Sequence, residues 1–165
     1  MTQRRHVPGC VAACLLLLLF LISGTLAQTI QVTDADGHST SVTAAQISKL
    51  PRVTVALQDH DKPTQFEGVP LSSVLSLAGI LFGDALRGRR MTEALLVEAA
   101  DGYKVVFAFA EIDPAFATRE IILADKRDGK ALDAKEGPLR IVAPGDKRPA
   151  RWVRQVVTLR LITPR

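Results

Sequence analysis

Residues 94–109 read ALLVEAADGYKVVFAF. Leu95 and Val97 alternate along the first arm and Val105, Phe107 and Phe109 along the second, with Ala100-Asp101-Gly102 between them. A period of two puts one face of each arm into a core, so the stretch predicts an antiparallel hairpin over 94–99 and 103–109. Tyr103, at the start of the second arm, suits a rim position as well as a ligand contact.

Strand patterns continue on both sides. Thr29 to Thr33 reads as a strand closed by the turn Asp34-Ala35-Asp36-Gly37, and TAAQISKL at 43–50 as a short helix stopped by Pro51. Val53, Val55 and Leu57 mark a strand with one apolar face, after which residues 58–63 turn polar. Leu71, Val74, Leu75 and Ala78 recur at helical spacing before Gly79, which predicts a helix lying on a sheet. Glu111 to Pro114 reads as a turn or a single helical turn. Toward the C-terminus, Ile121 to Ala124 and Leu139 to Val142 are short apolar strands, the first followed by a turn at 126–129, the second stopped by Pro144-Gly145. In the last strand Val153, Val157, Leu159 and Leu161 share one parity and Arg154, Thr158 and Arg160 the other. Without regular strand-helix alternation or repeats, the fold class is α+β or mixed α/β, mostly strands with short helices.

The chain has 165 residues, 47% apolar and 23% charged, which excludes a largely disordered chain and a pore of many spans. Residues 1–27 carry a basic start at Arg4 and Arg5, an apolar stretch from Val11 to Ile22 and small residues up to Ala27. That three-part pattern predicts a signal peptide cleaved after Ala27, leaving one domain over 28–165 in the periplasm or outside the cell. The apolar stretch falls short of the roughly 20 residues that cross a bilayer, so no stable membrane anchor is expected. Cys10 and Cys14 both lie in this leader, and Val11 to Cys14 precede the apolar stretch that a lipoprotein processing site should follow. Residues 28–165 contain no cysteine, and so offer no disulfide, thiolate ligand or thiol nucleophile.

The formal net charge is +4, or +2 without the leader, and it is unevenly distributed. From Leu139 onward seven basic residues stand against one acid. The densest part, residues 144–154, combines Pro144 and Gly145 with Lys147, Arg148, Arg151 and Arg154 around Trp152, and Arg140 lies just upstream. A tight loop with lysine point charges and planar arginine forks has the parts an anion requires. The same residues could form a solvated face paired with the acidic first segment. A nucleic-acid or membrane surface is not expected, because repeated aromatics and an amphipathic basic helix are missing. Asp59, His60 and Asp61 form a second polar cluster; Asp59 and His60 are weak candidates for proton transfer, against a local role in fixing the strand exit. No compact ligand spacing links them to His38, so no metal site is expected.

Four segments, FEGVPL at 66–71, ADGY at 100–103, GPLRIVAPG at 137–145 and ARWVR at 150–154, occur in an order that resembles the sulfite-oxidase-type oxidoreductase molybdopterin-binding domain family, in particular its short exported single-domain members. The resemblance runs from about Ala45 to Ile162. It implies a compact mixed α/β fold and, in catalytic relatives, a molybdenum-pterin cofactor with its phosphate near the C-terminal loop. On that basis Arg154, Arg140 and Arg151 fall on basic positions of the family and Gly145 lies in its 137–145 segment, while Lys147 and Arg148 are added candidates from local charge alone. Catalytic relatives ligate molybdenum through a cysteine after the strand corresponding to 53–57, where this chain has Gln58, Asp59 and His60. The expectation is therefore a protein that binds an anionic small molecule or a pterin, possible cofactors being molybdopterin or a related pterin, without standard sulfite oxidase turnover. One alternative is a molybdopterin-dependent oxidoreductase without a cysteine ligand, served by an envelope redox partner. The other is a structural or protein-interaction domain.

Overall fold

In the computed structural model, which describes residues 29–59 and 62–164, strands dominate and helices are short. The expected leader lies outside the described residues. In chain order the elements are β1 (Thr29–Thr33), β2 (Ser39–Thr43), α1 (Ala44–Ile47), β3 (Val53–Asp59), β4 (Lys62–Pro70), α2 (Leu71–Leu77), β5 (Ala94–Ala99), β6 (Lys104–Ala108), β7 (Ile122–Arg127), β8 (Lys130–Ala131), β9 (Arg140–Val142) and β10 (Val156–Ile162). Single 3-10 turns occur between them, including Phe109–Glu111 and Pro149–Arg151. This is the expected mixed α/β class.

Two sheets share the strands. One has the order β2-β1-β10-β5-β6, with β1 and β10 parallel, so the first and last strands lie side by side. The other has the order β3-β4-β7-β8, with β9 also paired to β7. A single apolar core joins them: Ile30, Leu95, Phe107 and Leu159 from the first sheet meet Phe66, Val69, Leu123 and Ile141 from the second, with Leu71 and Leu75 of α2.

Local chemistry explains most element ends. The Thr43 hydroxyl accepts from the Gln46 backbone N–H and the Gln46 side chain accepts from the Thr43 N–H, a reciprocal cap that starts α1. That helix lasts only to Ile47, shorter than the 43–50 expectation. α2 follows the expected stripe, burying Leu71, Val74 and Leu75, and ends where Gly79 takes a φ of 83°. The hairpin of β5 and β6 pairs Leu95 with Phe107 and Val97 with Val105, as its alternation predicts. β7 runs to Arg127, which moves the expected 126–129 turn to Asp128 and Gly129.

Two expectations need correction. A nine-residue strand, β4, begins at Lys62 inside the stretch read as polar and runs to Pro70, central in its sheet between β3 and β7. Its prolines at 63 and 70, and a register shift between Glu67 and Gly68, hide it from a periodicity reading. Gly68 is required there, because any Cβ would collide with the Leu123 carbonyl and the Ala124 backbone. In β10 the parity breaks between Val156 and Thr158: Val156 and Leu159 are buried while Val157 points out, 39% exposed. A bulge there inserts one residue, so Val156 takes the inner face and Val157 the outer one.

Candidate functional site

The second sheet and the loop before β10 enclose a cleft of about 470 Å³. Asp59 enters from the end of β3, Lys62 from the start of β4, Arg127 from the end of β7, Arg140 from β9, and Glu136 and Arg154 from flanking loops. Its volume falls within the usual small-ligand range. A groove of about 480 Å³ outside the β3–β4 hairpin is as large but has no cation in its lining. Charge, not size, distinguishes the first.

Two guanidiniums and two carboxylates form a connected cluster on its floor. Arg127 Nη2 lies 3.1 Å from Asp59 Oδ2, and Arg127 Nη1 donates to Glu136 Oε1 at 2.9 Å. Arg140 Nη1 also lies 2.9 Å from Glu136 Oε1, off the line of a good hydrogen bond, and Arg140 Nε has no hydrogen-bond partner among the described residues. Arg140 is 4% exposed and stacks over Phe66 at 4.8 Å. Burial lowers its pKa below the ordinary arginine value; Glu136 and Asp59 oppose that shift and Arg127 adds to it. A buried arginine with an unfilled donor is an opening for an acceptor.

The turn at 133–137 aims Glu136. Asp133 Oδ1 accepts the backbone N–H groups of Lys135 and Glu136, both at 2.9 Å, and these bonds hold the Asp133 pKa below the usual carboxylate value. The Glu136 carbonyl then accepts from Gln155 N at 3.1 Å, and Gln155 Nε2 donates to Ala134 O at 2.6 Å. Gln155 has a φ of 50°, unusual for a residue with a side chain, and these bonds hold it where the chain reverses after Arg154. Arg154 and Lys62 are exposed and form no ion pair among the described residues.

The structure brings together only part of the sequence-derived set. Asp59, Arg140 and Arg154 share the cleft. His60 lies outside the described residues. Gly145 and Arg151 line a different cleft of about 370 Å³. There Arg151 donates to Asp146 at 2.5 and 3.0 Å and to Glu111 at 2.9 and 3.3 Å, and lies over Phe107. The bond to Asp146 foremost, with Glu111, raises its pKa against the opposing effect of burial. Lys147 and Arg148 are exposed and line neither cleft. Trp152 seals the core, with its Nε1–H on Ala143 O at 3.0 Å and its ring edge-on to Phe66. Tyr103 is a rim residue whose hydroxyl donates to Ala150 O at 2.8 Å. Lys62, Arg127 and Glu136 were not legible as site residues, since only folding joins their segments; the one local signal was the i,i+4 spacing of Glu136 and Arg140.

Asp34, Asp36 and His38 could bring one ligand atom each to within 4.8 Å of one another. They lie on the turn after β1, where Asp34 already accepts the N–H groups of Asp36 and His38, which gives the cluster a local structural role.

A strand-rich mixed α/β domain with an arginine-lined cleft is the class that fold and site define. Residues 60–164 match the oxidoreductase molybdopterin binding domain family, and the chain belongs to that family. Among solved structures it is similar to the sulfane dehydrogenase SoxCD from Paracoccus pantotrophus, with a TM-score of 0.64 and 19% identity, over 82% of this chain and 38% of that one. That is a likeness of fold, and this chain spans well under half of that structure's length. No curated protein matches the chain at a significant level.

The donors present fit the family's cofactor only in part. No described residue is a cysteine, and the end of β3 presents a carboxylate, Asp59, already compensated by Arg127. A hard, neutralised oxygen donor does not replace a soft thiolate, so the site does not fit a protein-ligated molybdenum. The unfilled Arg140 donor with Arg154 and Lys62 does fit an anionic group.

Proposed function

We propose that this domain binds an anionic, pterin-type ligand in the Arg140–Arg154 cleft, without metal-centred turnover, after export from the cytoplasm. One observation carries the reading: a buried Arg140 with an unfilled Nε lines a cleft in which Arg154 and Lys62 form no ion pair among the described residues. The floor cluster is balanced within itself, so these two cations supply the excess that draws an anion. Family membership makes a pterin the natural candidate. Export rests on the leader pattern; no described helix is long and apolar enough to cross a membrane.

The test is native mass spectrometry of the protein exported by a molybdopterin-producing host, with calorimetric titration of pyrophosphate and N-terminal sequencing. The reading expects bound pterin without stoichiometric molybdenum and a mature start at Gln28. Arg154→Ala should weaken pyrophosphate about tenfold or more, the loss of one charge-assisted hydrogen bond, while Arg151→Ala, whose donors are already engaged, should change it less than about twofold. Absence of bound pterin together with an unchanged titration for Arg154→Ala would remove the site. Stoichiometric molybdenum with turnover would favour an oxidoreductase that holds its cofactor without cysteine.

A further inference from the structure

We propose that the free edge of β3 is a self-association surface, pairing antiparallel with β3 of a second copy of this chain. Among the described residues β3 is bonded on one side only, to β4. Along Val53 to Gln58 the other side presents backbone donors and acceptors that pair with no strand among the described residues.

Natural sheets blunt such edges with charge, proline, a bulge or brevity. Other edges here conform: β2 has five residues, four of them serine or threonine, β6 begins with Lys104, and β8 and β9 have two and three residues. β3 carries a charge only at its last residue, Asp59. It is seven residues long, its register with β4 runs unbroken from Val53–Gly68 to Asp59–Lys62, and Val53 to Gln58 contain no charged residue, glycine or proline. Val53, Val55 and Leu57 are only half-buried at the margin of the core, and an added strand would complete their cover.

The strand is also complementary to itself, which selects the occupant. With a two-fold axis through Val55, Val53 faces Leu57 of the second copy and Val55 faces its own counterpart, all on the inner face. Thr54 then faces Ala56 on the outer face. No like charges meet in this register, and four small side chains, Thr54 and Ala56 of each copy, surround the axis. The pairing does not involve the basic cleft and does not rest on the ligand reading.

Sedimentation velocity and light scattering across about a hundredfold range of protein concentration test this, because a dimer responds to mass action. The expected result is a species of twice the chain mass that dissociates on dilution. Thr54→Lys with Ala56→Lys puts four like charges over the axis at positions exposed in the single chain, and should give one chain mass throughout, with a thermal melt like that of the wild type diluted to single chain mass. Thr54→Glu with Ala56→Glu should also give one chain mass, with a lower melt because a glutamate at position 54 would face Glu67, and mixing the two variants should restore the doubled mass. A wild-type chain that stays at single mass, a dimer untouched by the lysines, or a mixture that fails to pair would overturn the proposal.

Discussion

Glu136→Gln probes the charge cluster most directly. Glu136 holds both Arg127 and Arg140 at 2.9 Å, so the substitution leaves two guanidiniums facing the single carboxylate of Asp59. Its backbone bonds, which shape the turn, remain. Breaking a buried pair costs about 3–5 kcal/mol. The Glu136 and Arg127 side chains are 18% and 30% exposed, so water recovers part of the loss. Roughly 2–3 kcal/mol should remain, lowering the melting temperature by about 5–10 °C at this chain length. The same change adds one net positive charge beneath the cleft. At a separation of about 5 Å and an effective dielectric near 20 that charge attracts an anion by roughly 3 kcal/mol, and screening in an open cleft leaves about half, or roughly a tenfold gain in affinity. Circular-dichroism melts with and without pyrophosphate measure both effects. The variant should be less stable alone and more strongly stabilised by the anion than the wild type. A variant that melts with the wild type and binds no tighter would refute the idea that these four groups act as one balanced cluster.

Other consequences follow from single contacts. Gly68→Ala should cost about 1–3 kcal/mol or more by forcing β4 away from Leu123 and Ala124, read as a lower urea midpoint. Trp152→Phe should cost about 1–3 kcal/mol, because the Ala143 carbonyl loses its buried donor, and chemical denaturation reports it. Asp133 has a folded pKa below its ordinary value of 3.8, so the unfolded chain takes up its proton first as the solution is acidified. The stability Asp133 contributes is complete above about pH 4 and is lost as pH falls through the lowered value. Melts across that range should therefore fall more steeply for the wild type than for Asp133→Asn.

Sequence and structure divide along the range of the interactions involved. The β5–β6 hairpin and α2 were legible because alternation and helical spacing are local: Leu95, Val97, Val105 and Phe107, and then Leu71, Val74 and Leu75, each declare a face within a few residues. The leader pattern of residues 1–27 and the lack of cysteine in residues 28–165 were readable without a structure, the first as an expectation. β4 was hidden because its strand state comes from β3 and β7 on either side, which override two prolines and a glycine. Val157 was misplaced because one bulged residue shifts the alternation between Val156 and Thr158. Late positive charge was visible in sequence, but its division was not: Arg140 and Arg154 reach one cleft, while Arg151 turns to Asp146 and Glu111 in another. Lys62, Arg127 and Glu136 join the first only through the pairing of β4, β7 and β9. Electrostatic partnership depends on distances of a few ångströms between segments up to about eighty residues apart, and a linear pattern does not encode them.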